Sequence, residues 1–534
     1  MAKMILMGKE AREKIVQGTN IIADAVVSTL GPKGSNVGIG KFWVDPVVLH
    51  DGVSVAKEIS LEDKFEDFAA QLIRQAAAKT NDRSGDGTTS TTLLAQEMIN
   101  YGMSLVDKEI NPMSIKKGME MAKKDIIEQI KLATIPVETE EKIRQVANIS
   151  SQSSEIGKII AEAIWKVGKS GSIDVEESSK YTIDYEIKEG MEFEKGITSP
   201  QFVNTDKNTV ELEKCLILLI DHPIASAEKL IGFLTKVLEL KKEPFSILIM
   251  ADNIDPNSLE SLLTNKKNGS LFSVFIQSPG FAERRKEYLQ DIAILTGARV
   301  VSGELGMNLD NITPDVLGYA EKVAATDKNT KIIGGRSTKT EINNRIKQIE
   351  AKIEDADSEF EKKIHKERVA KLTAGCGVIK VGGLTEVEMK DNKERVIDAV
   401  EATKTAFSDG IVYGGGRLLV EISDYLTKNK KSVNLNKQEM LGYDLVARAL
   451  QQPFRRLMNN SGIEVSDETF KKGFGYNAQN GKKVDLIKAG IIDPAQVVVN
   501  TIQNAISVAA MLITCNTIIV DKEDPATRQA GLNI

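Results

Sequence analysis

The pattern of apolar residues changes twice along this chain of 534 residues. Near the start, Ile15, Ile22 and Val26 recur at helical spacing, and the last hundred residues are also mostly helical in pattern. Between residues 190 and 374, apolar runs such as 215–220 and 245–250 alternate with helical segments, which is typical of an α/β domain with a partly parallel sheet. The pattern therefore predicts a helical domain built from both chain ends and split by an inserted α/β domain. Short connecting segments on both sides predict a third, hinge-like domain.

A single acid between two glycines precedes one of the predicted helices. The stretch Gly85-Asp86-Gly87 is followed by five hydroxyl residues, so it predicts a tight loop that leads into a helix from Thr91. The first amides of a helix have no internal partners and attract phosphate. Asp86 would repel phosphate unless a cation lay between them, which indicates Mg²⁺. An ordinary helix cap explains this segment alone equally well, and the missing Lys excludes a Walker A loop.

Charge and cysteine usage exclude several classes of function. The 70 basic and 76 acidic residues are mixed throughout, so the net charge of -6 leaves no basic footprint for nucleic acid or an anionic membrane. The three cysteines and three histidines are scattered, which disfavours a disulfide framework or a zinc site. The first residues lack the apolar core of a secretory signal, so we expect a cytoplasmic protein.

Two apolar stretches predict particular helices. Residues 502–520 approach membrane length but contain six polar residues, so they predict a helix buried in protein, followed by a short strand. Apolar residues also step by three or four from Ile342 to Ile364 among many charges. This narrow seam predicts one long exposed helix, half of a helical hairpin, for which a solvated charged helix without function is the favoured interpretation.

Six segments of the chain line up with one protein family. They are Thr29-Leu30-Gly31-Pro32-Lys33-Gly34, Asp51-Gly52-Val53-Ser54-Val55-Ala56, Gly85-Asp86-Gly87-Thr88-Thr89, Gly414-Gly415-Gly416, Tyr476-Asn477-Ala478 and Gly490-Ile491-Ile492-Asp493-Pro494. In this order and spacing the chain resembles the GroEL-type (group I) chaperonins almost from end to end. The resemblance implies the chaperonin fold, with a mostly helical equatorial domain (1–132 and 409–534), a small hinge-like intermediate domain (133–188 and 376–408) and an α/β apical domain (189–375).

The resemblance also implies an activity and partners. A protein of this family is an ATP-dependent chaperone that captures non-native polypeptides on its apical domain. It promotes their folding in a ring chamber that a lid co-chaperonin of the GroES type closes. The expected assembly is a homo-oligomer of seven-membered rings, single or double. The expected cofactors are ATP and Mg²⁺, and the resemblance also allows K⁺.

The resemblance assigns roles to individual residues of the helical domain. Asp86 would hold Mg²⁺, Asp51 would order the attacking water, and Asp398 on the intermediate domain would act as the base. The residues expected around the nucleotide are Thr29, Leu30, Gly31, Pro32, His50, Asp86, Gly87, Thr88, Thr89, Ser90, Ser150, Gly414, Gly415, Asn477, Ala478 and Asp493.

A groove on the apical domain is expected to bind both the polypeptide and the co-chaperonin. The matching positions are Ile197, Gln201, Phe202, Ile231, Leu234, Leu259, Leu263 and Thr264. Six of them are apolar, but Ile197 and Gln201 replace tyrosines of the family and Thr264 replaces a valine. Because an apolar groove binds through its area, at about 25 cal/mol per Å², we expect these replacements to alter the range of clients.

Other departures from the family pattern open a second interpretation. His50 replaces a lysine, which would bring a permanent positive charge near phosphate, so nucleotide affinity or turnover is expected to be reduced. Ser154 stands where the family has an acid that pairs with Arg395, and the Gly-Gly-Met-rich tail of the family has no counterpart. A divergent paralogue that acts as a holdase or scaffold, with weak or no ATP hydrolysis, is therefore the alternative. A small-molecule phosphotransferase is disfavoured because no motif suggests a second substrate pocket.

Overall fold

The computed structural model describes residues 2–41, 44–49, 51–151, 153–178, 180–205, 208–356, 358–465 and 470–522. The helices in chain order are α1 (Gly8–Val27), α2 (Gly52–Glu58), α3 (Lys64–Ser84), α4 (Thr88–Val106), α5 (Pro112–Ala133), α6 (Glu140–Ser151), α7 (Ser154–Val167), α8 (Ala227–Lys241), α9 (Pro256–Lys267), α10 (Glu283–Thr296), α11 (Lys339–Asp355), α12 (Glu359–Ala374), α13 (Glu386–Asp409), α14 (Arg417–Asn429), α15 (Lys437–Ala449), α16 (Gln452–Asn460) and α17 (Ala495–Ile513). The strands are β1 (Lys3–Met7), β2 (Val37–Lys41), β3 (Val44–Leu49), β4 (Ser172–Glu177), β5 (Asp184–Lys188), β6 (Gly190–Phe193), β7 (Val210–Leu219), β8 (Phe245–Ala251), β9 (Leu271–Gln277), β10 (Gly318–Ala325), β11 (Thr330–Gly335), β12 (Cys376–Val381), β13 (Ile411–Tyr413), β14 (Phe474–Tyr476), β15 (Lys483–Asp485), β16 (Ile492–Pro494) and β17 (Thr517–Asp521).

The chain folds into two compact units, and both chain ends belong to the helical one. This unit runs to Ala161 and resumes at Lys390. Helices α1, α3, α4, α5, α15 and α17 pack on one another, because the apolar stripes predicted from the sequence, such as Ile15, Ile22 and Val26 on α1, all face one core. Short antiparallel pairs complete the unit: β1 with β17, β2 with β3, β13 with β16, and β14 with β15.

Helix α17 lies at the centre of the helical unit. It is the one helix among the described residues with the length and apolarity of a membrane span, yet most of its residues are buried in the protein core. Strand β17 follows it. The prediction of a buried helix and a short strand is therefore confirmed.

The second unit, from Glu162 to Met389, is built on a six-stranded mixed sheet. Its strand order is β6-β11-β10-β7-β8-β9, in which β7, β8 and β9 run parallel and the other neighbours run antiparallel. Where β7, β8 and β9 pair in parallel, from Leu216 in β7, their residues are mostly apolar and buried, because both faces of the sheet are covered. A separate three-stranded sheet has the order β4-β12-β5. Helical ends around an α/β middle confirm the predicted fold class, whereas the boundaries of three domains stay a prediction.

The predicted single helix through residues 342–364 is wrong, because the seam is divided between α11 and α12. Ala356 ends α11 in an extended conformation, and the Ser358 side chain accepts a hydrogen bond from the amide of Glu361 to start α12. A Ser three residues before a Glu is a helix start signal that interrupts the apolar periodicity. Residues 342–364 thus contribute to both helices of a hairpin, and not to one helix alone.

A buried ion-pair cluster attaches this hairpin to the α/β unit. Asp291 on α10 is fully buried and accepts hydrogen bonds from Arg345 on α11, at 2.8 Å, and from Arg368 on α12, at 2.7 Å. Arg368 is only 1% exposed and also contacts Glu287. Buried charges persist only when they are paired in this way. The favoured sequence interpretation, a solvated charged helix, is therefore wrong for the faces of α11 and α12 that carry these arginines.

Candidate functional site

The Asp86 loop joins α3 to α4 in the helical unit. Gly85 ends α3 and Gly87 precedes α4, both in the left-handed conformation that favours glycine. Helix α4 begins at Thr88 and not at the predicted Thr91, because Gly87 supplies the N-cap. Thr88, Thr89 and Ser90 therefore form its first turn and not part of a loop. Their backbone amides lie where a helix leaves amides without internal partners.

Asp51 lies beside this loop at the start of α2. Its carboxylate accepts a hydrogen bond from the amide of Ser54 at 2.8 Å, so it caps the helix. The next residue, Gly52, packs so closely that a Cβ there would lie 2.4 Å from the hydroxyl of Thr89. Desolvation by the surrounding protein, and to a smaller extent the charge of Asp51, raises the pKa of Asp86, although part of the Asp86 residue is accessible to solvent.

Asp493 brings a third carboxylate to the same place. It lies on β16, directly opposite Val412 of β13, and a Cβ on Gly414 would come within 2.8 Å of its carboxylate. Burial, and to a smaller extent the charge of Asp86, raises the pKa of Asp493 to about 7. Asp51, Asp86 and Asp493 therefore converge from three separate parts of the sequence.

Three convergent carboxylates create a need for positive charge. The pKa values of Asp86 and Asp493 are both raised, and no basic side chain among the described residues offsets this. Nor do three acidic, His or Cys side chains of the described chain gather closely enough to form a metal site from protein alone. Mg²⁺ fits such a place, because it commonly binds through one or two carboxylates, with water and phosphate oxygens as its other ligands.

An apolar wall connects the predicted Thr29–Pro32 turn with the Gly414–Gly415 turn. A Cβ on Gly31 would overlap Leu457 of α16 at 2.1 Å, and Gly415 faces both Leu457 and Ile491. Asn460, also on α16, donates a hydrogen bond to the carbonyl of Leu30 at 3.0 Å. Sequence reasoning missed Leu457 as a site residue, since an apolar residue on an amphipathic helix gives no signal beyond ordinary core packing.

The remaining predicted nucleotide residues extend this arrangement. Ala478 packs with Phe454 of α16, and the backbone of Phe454 lies against Gly416. Asn477 begins a turn in which its side-chain oxygen accepts a hydrogen bond from Gln479. Ser150 lies in the last turn of α6, which packs beside β16.

Asp398 lies on α13, and that helix packs against the Asp86 loop. A Cβ on Gly85 would be 3.3 Å from the carbonyl oxygen of Asp398 and 3.2 Å from the amide of Ala402. Asp398 is half-buried. The backbone of this predicted base thus lies against Gly85, the neighbour of the predicted metal residue, whereas His50 lies outside the described residues.

The predicted groove positions of the α/β unit differ in exposure. Phe202 and Leu234 are buried, and Ile197, Ile231, Leu259 and Leu263 are half-buried against the same core. The two exposed positions are the polar ones, Gln201 and Thr264.

Lys266 on α9, a residue that sequence reasoning missed, holds the groove segment of residues 200–203. Its ammonium group donates hydrogen bonds to the carbonyls of Gln201, Phe202 and Val203, at 2.5 to 2.9 Å. Burial lowers the pKa of Lys266. The contact fixes one wall of the groove to α9.

Comparisons with known proteins give the fold and the family. The chain is similar to the chaperonin gp146 from the bacteriophage EL 2 (Pseudomonas aeruginosa), solved in the presence of ATP-BeFx in two crystal forms. For crystal form II the TM-score is 0.72 at 21% identity, covering 97% of this chain and all of that one. For form I it is 0.66 at 22% identity, covering 97% and 99%. The family model described as the TCP-1/cpn60 chaperonin family matches residues 22–523, and the chain therefore belongs to this family of chaperonins.

Proposed function

We propose that this chain is an ATP-driven protein-folding chaperone. Chaperonins are ATPases that bind non-native proteins and form oligomeric rings. The observation that carries the proposal for this chain is the gathering of Asp51, Asp86 and Asp493 around the turn before α4, with the backbone of Asp398 against the same turn. Of the three family properties, ATP hydrolysis is the one that requires this cluster.

Each acid of the cluster has a separate task in the proposal. Asp86 holds Mg²⁺, which neutralises phosphate charge and polarises the phosphoryl oxygens. Asp51, fixed as the cap of α2, orders the attacking water, and Asp398 accepts its proton. Asp493 and Asn477 face the ribose and the base, while Leu457 and Ile491 exclude water from the apolar side.

Capture of clients belongs to the α/β unit in this proposal. Non-native polypeptides bind the groove between α8 and α9, and a lid co-chaperonin of the GroES type then binds the same surface. The assembly is a cytoplasmic homo-oligomer of seven-membered rings, single or double. Half-buried Ile231, Leu259 and Leu263 support this assignment, because they leave part of their apolar surface accessible at one place.

Refolding of a denatured client tests the proposal. A chemically denatured enzyme is diluted into the protein with Mg²⁺-ATP, with and without a GroES-type co-chaperonin, and recovered activity is followed. The proposal expects recovery that needs both ATP and the lid, and that Asp398→Ala abolishes. Equal recovery without nucleotide would overturn it.

The second candidate is a holdase with weak or no hydrolysis. It is favoured by the finding that the exposed groove positions, Gln201 and Thr264, are both polar. Client binding that ATP leaves unchanged would support this candidate. Under it, Gln201→Tyr with Thr264→Val would tighten client binding several-fold, because each restores apolar area worth about 25 cal/mol per Å².

A further inference from the structure

A network of buried polar side chains lies beneath the Asp86 loop. It comprises Thr80 and Ser84 on α3, Thr91 on α4, and Thr501 and Asn504 on α17. All five are less than 10% exposed, and Thr80 is fully buried. None of the five belongs to the nucleotide residues of the site described above.

The hydrogen bonds of the network connect α17 with the loop. The side-chain amide of Asn504 donates to the hydroxyl of Thr80 at 2.9 Å, and the hydroxyls of Thr80 and Thr91 are 3.1 Å apart. The hydroxyl of Thr91 donates to the carbonyl of Gly87 at 2.9 Å. The hydroxyl of Thr80 also donates to the carbonyl of Ala76 at 3.0 Å, so the path from α17 to the loop also includes a bond within α3.

Two further contacts hold the same turn. Thr501 donates to the carbonyl of Gly87 at 3.4 Å. The hydroxyl of Ser84 donates to the carbonyl of Thr80 at 2.8 Å and also lies 3.3 Å from the carbonyl of Asp86. A Cβ on Gly87 would lie 2.5 Å from the Thr501 hydroxyl, so α17 also limits the position of the loop by direct contact. The two peptide groups that follow Asp86 are thus contacted by side chains of α3, α4 and α17.

Apolar side chains would fill this space without needing hydrogen-bond partners, whereas the five polar side chains do need them. Buried polar networks gain little net stability, but when fully satisfied they select one geometry. The geometry selected here is that of the loop which carries Asp86. Because α17 begins directly after Asp493 and Pro494, the network also joins the Asp86 loop to the strand that carries Asp493.

We infer that Thr80, Thr91, Thr501 and Asn504 are positioning residues that set the affinity of the Asp86 site for a divalent cation. They touch neither nucleotide nor cation and act through the carbonyl of Gly87. The inference rests on the proposed function, in which Asp86 holds Mg²⁺. Residues that orient a metal ligand from behind commonly change metal affinity tenfold or more when they are replaced.

Mg²⁺ titration of the full-length protein tests the inference. ATP hydrolysis at saturating ATP and calorimetric binding of ADP are each measured against Mg²⁺ concentration for wild type, Thr501→Val, Asn504→Leu and Thr501→Ser. Thr92→Val serves as the matched control, because Thr92 is equally buried on α4 but bonds only within its own helix. Thermal unfolding of each variant reports on folding.

The expected result is a rise of about tenfold in the Mg²⁺ concentration for half-saturation in Thr501→Val and Asn504→Leu. Thr501→Ser and Thr92→Val should keep the wild-type value. If Asn504→Leu does not fold, the pair Thr501→Val and Thr501→Ser decides alone. Unchanged Mg²⁺ half-saturation in folded variants would overturn the inference, even if turnover fell. Nucleotide binding by wild type that is independent of Mg²⁺ would instead overturn the proposed function, and with it this inference.

Discussion

At the scale of the residue, the carboxylates around the Asp86 loop have unusual surroundings. Asp86 and Asp493 each have a raised pKa. In each case desolvation is the larger cause, and the charge of another acid in the cluster adds to it. A cation bound among them would reverse this effect, because an opposite charge favours ionised carboxylates. Binding of Mg²⁺-nucleotide is thus expected to release protons near neutral pH.

Replacing Asp398 tests the assigned base. Asp398→Ala should leave ATP binding nearly unchanged and slow hydrolysis by about 100-fold or more, because a general base typically contributes that much. The control is Asp391→Ala on the same helix, whose partly exposed side chain pairs with Arg395. Single-turnover hydrolysis and equilibrium nucleotide binding measure the two effects. Equal hydrolysis rates in Asp398→Ala and wild type would exclude Asp398 as the base.

The raised pKa of Asp493 predicts how stability depends on pH. This carboxyl has a pKa of about 7 in the folded protein, against about 4 in an unfolded chain. Between these two pH values the carboxyl is protonated in the folded protein and ionised in the unfolded chain. Its contribution to the free energy of unfolding is therefore present at low pH and is lost as pH rises to about 7.

Thermal unfolding of nucleotide-free protein checks this dependence. From pH 5 to pH 8, the melting temperature of wild type should fall more than that of Asp493→Asn, whose side chain does not ionise. The difference between the two curves isolates Asp493 from the other titrating groups. Parallel curves would show that Asp493 titrates at its ordinary pKa.

At the scale of the element, the site depends on where helices begin. Helix α4 starts one residue after Gly87, and α2 starts one residue after Asp51, so both helices present their N-terminal turns near the same acids. Helix α17 passes beneath and contacts Gly87 through Thr501. The starts of α2 and α4, together with the contact from α17, therefore determine the geometry of the cluster.

Gly87→Ala should disrupt this geometry. Gly87 has φ +93°, and an added Cβ would overlap Thr501, so the loop must shift. We expect nucleotide binding to weaken at least tenfold, in addition to a strain of about 1 to 3 kcal/mol in the fold. Gly462→Ala is the control, because Gly462 also has a positive φ but faces open space. Equal nucleotide affinity in the two variants would contradict the role of the loop.

The hairpin α11–α12 depends on one buried acid. Asp291→Ala leaves Arg345 and Arg368 without their shared carboxylate, so it should destabilise the α/β unit by about 3 to 5 kcal/mol. Glu367→Ala, which removes an exposed pair with Lys363, should cost at most about 1 kcal/mol. Protease sensitivity of the hairpin and thermal unfolding measure both. A small effect of Asp291→Ala would mean that the hairpin is held by its apolar contacts alone.

Some of these elements could be predicted from the sequence and others could not. Helix α17 and strand β17 could be predicted, because polar residues interrupt the long apolar stretch 502–520. The break between α11 and α12 was missed because isoleucines on both sides kept the spacing of three and four. Leu457 and Thr501 were missed because their roles arise from contacts between distant segments, which local patterns do not encode.

At the scale of the whole molecule, each unit carries a separate part of the proposed cycle. All predicted nucleotide residues that are described lie in the helical unit, and all groove residues lie in the α/β unit. The acids of the nucleotide site match the family pattern, whereas the exposed groove positions are polar. Under the proposed function, the chain therefore combines a family-like site for hydrolysis with an altered surface for clients.

Steady-state ATP hydrolysis, measured with mass photometry on the same sample, tests the central claim most directly. Wild type and His50→Lys are compared across ATP concentrations. The proposed function predicts cooperative turnover by a ring-sized particle in wild type, which His50→Lys only increases. Negligible turnover by a monomer or small oligomer, particularly if His50→Lys restores hydrolysis, would contradict it and indicate that the fold serves binding alone.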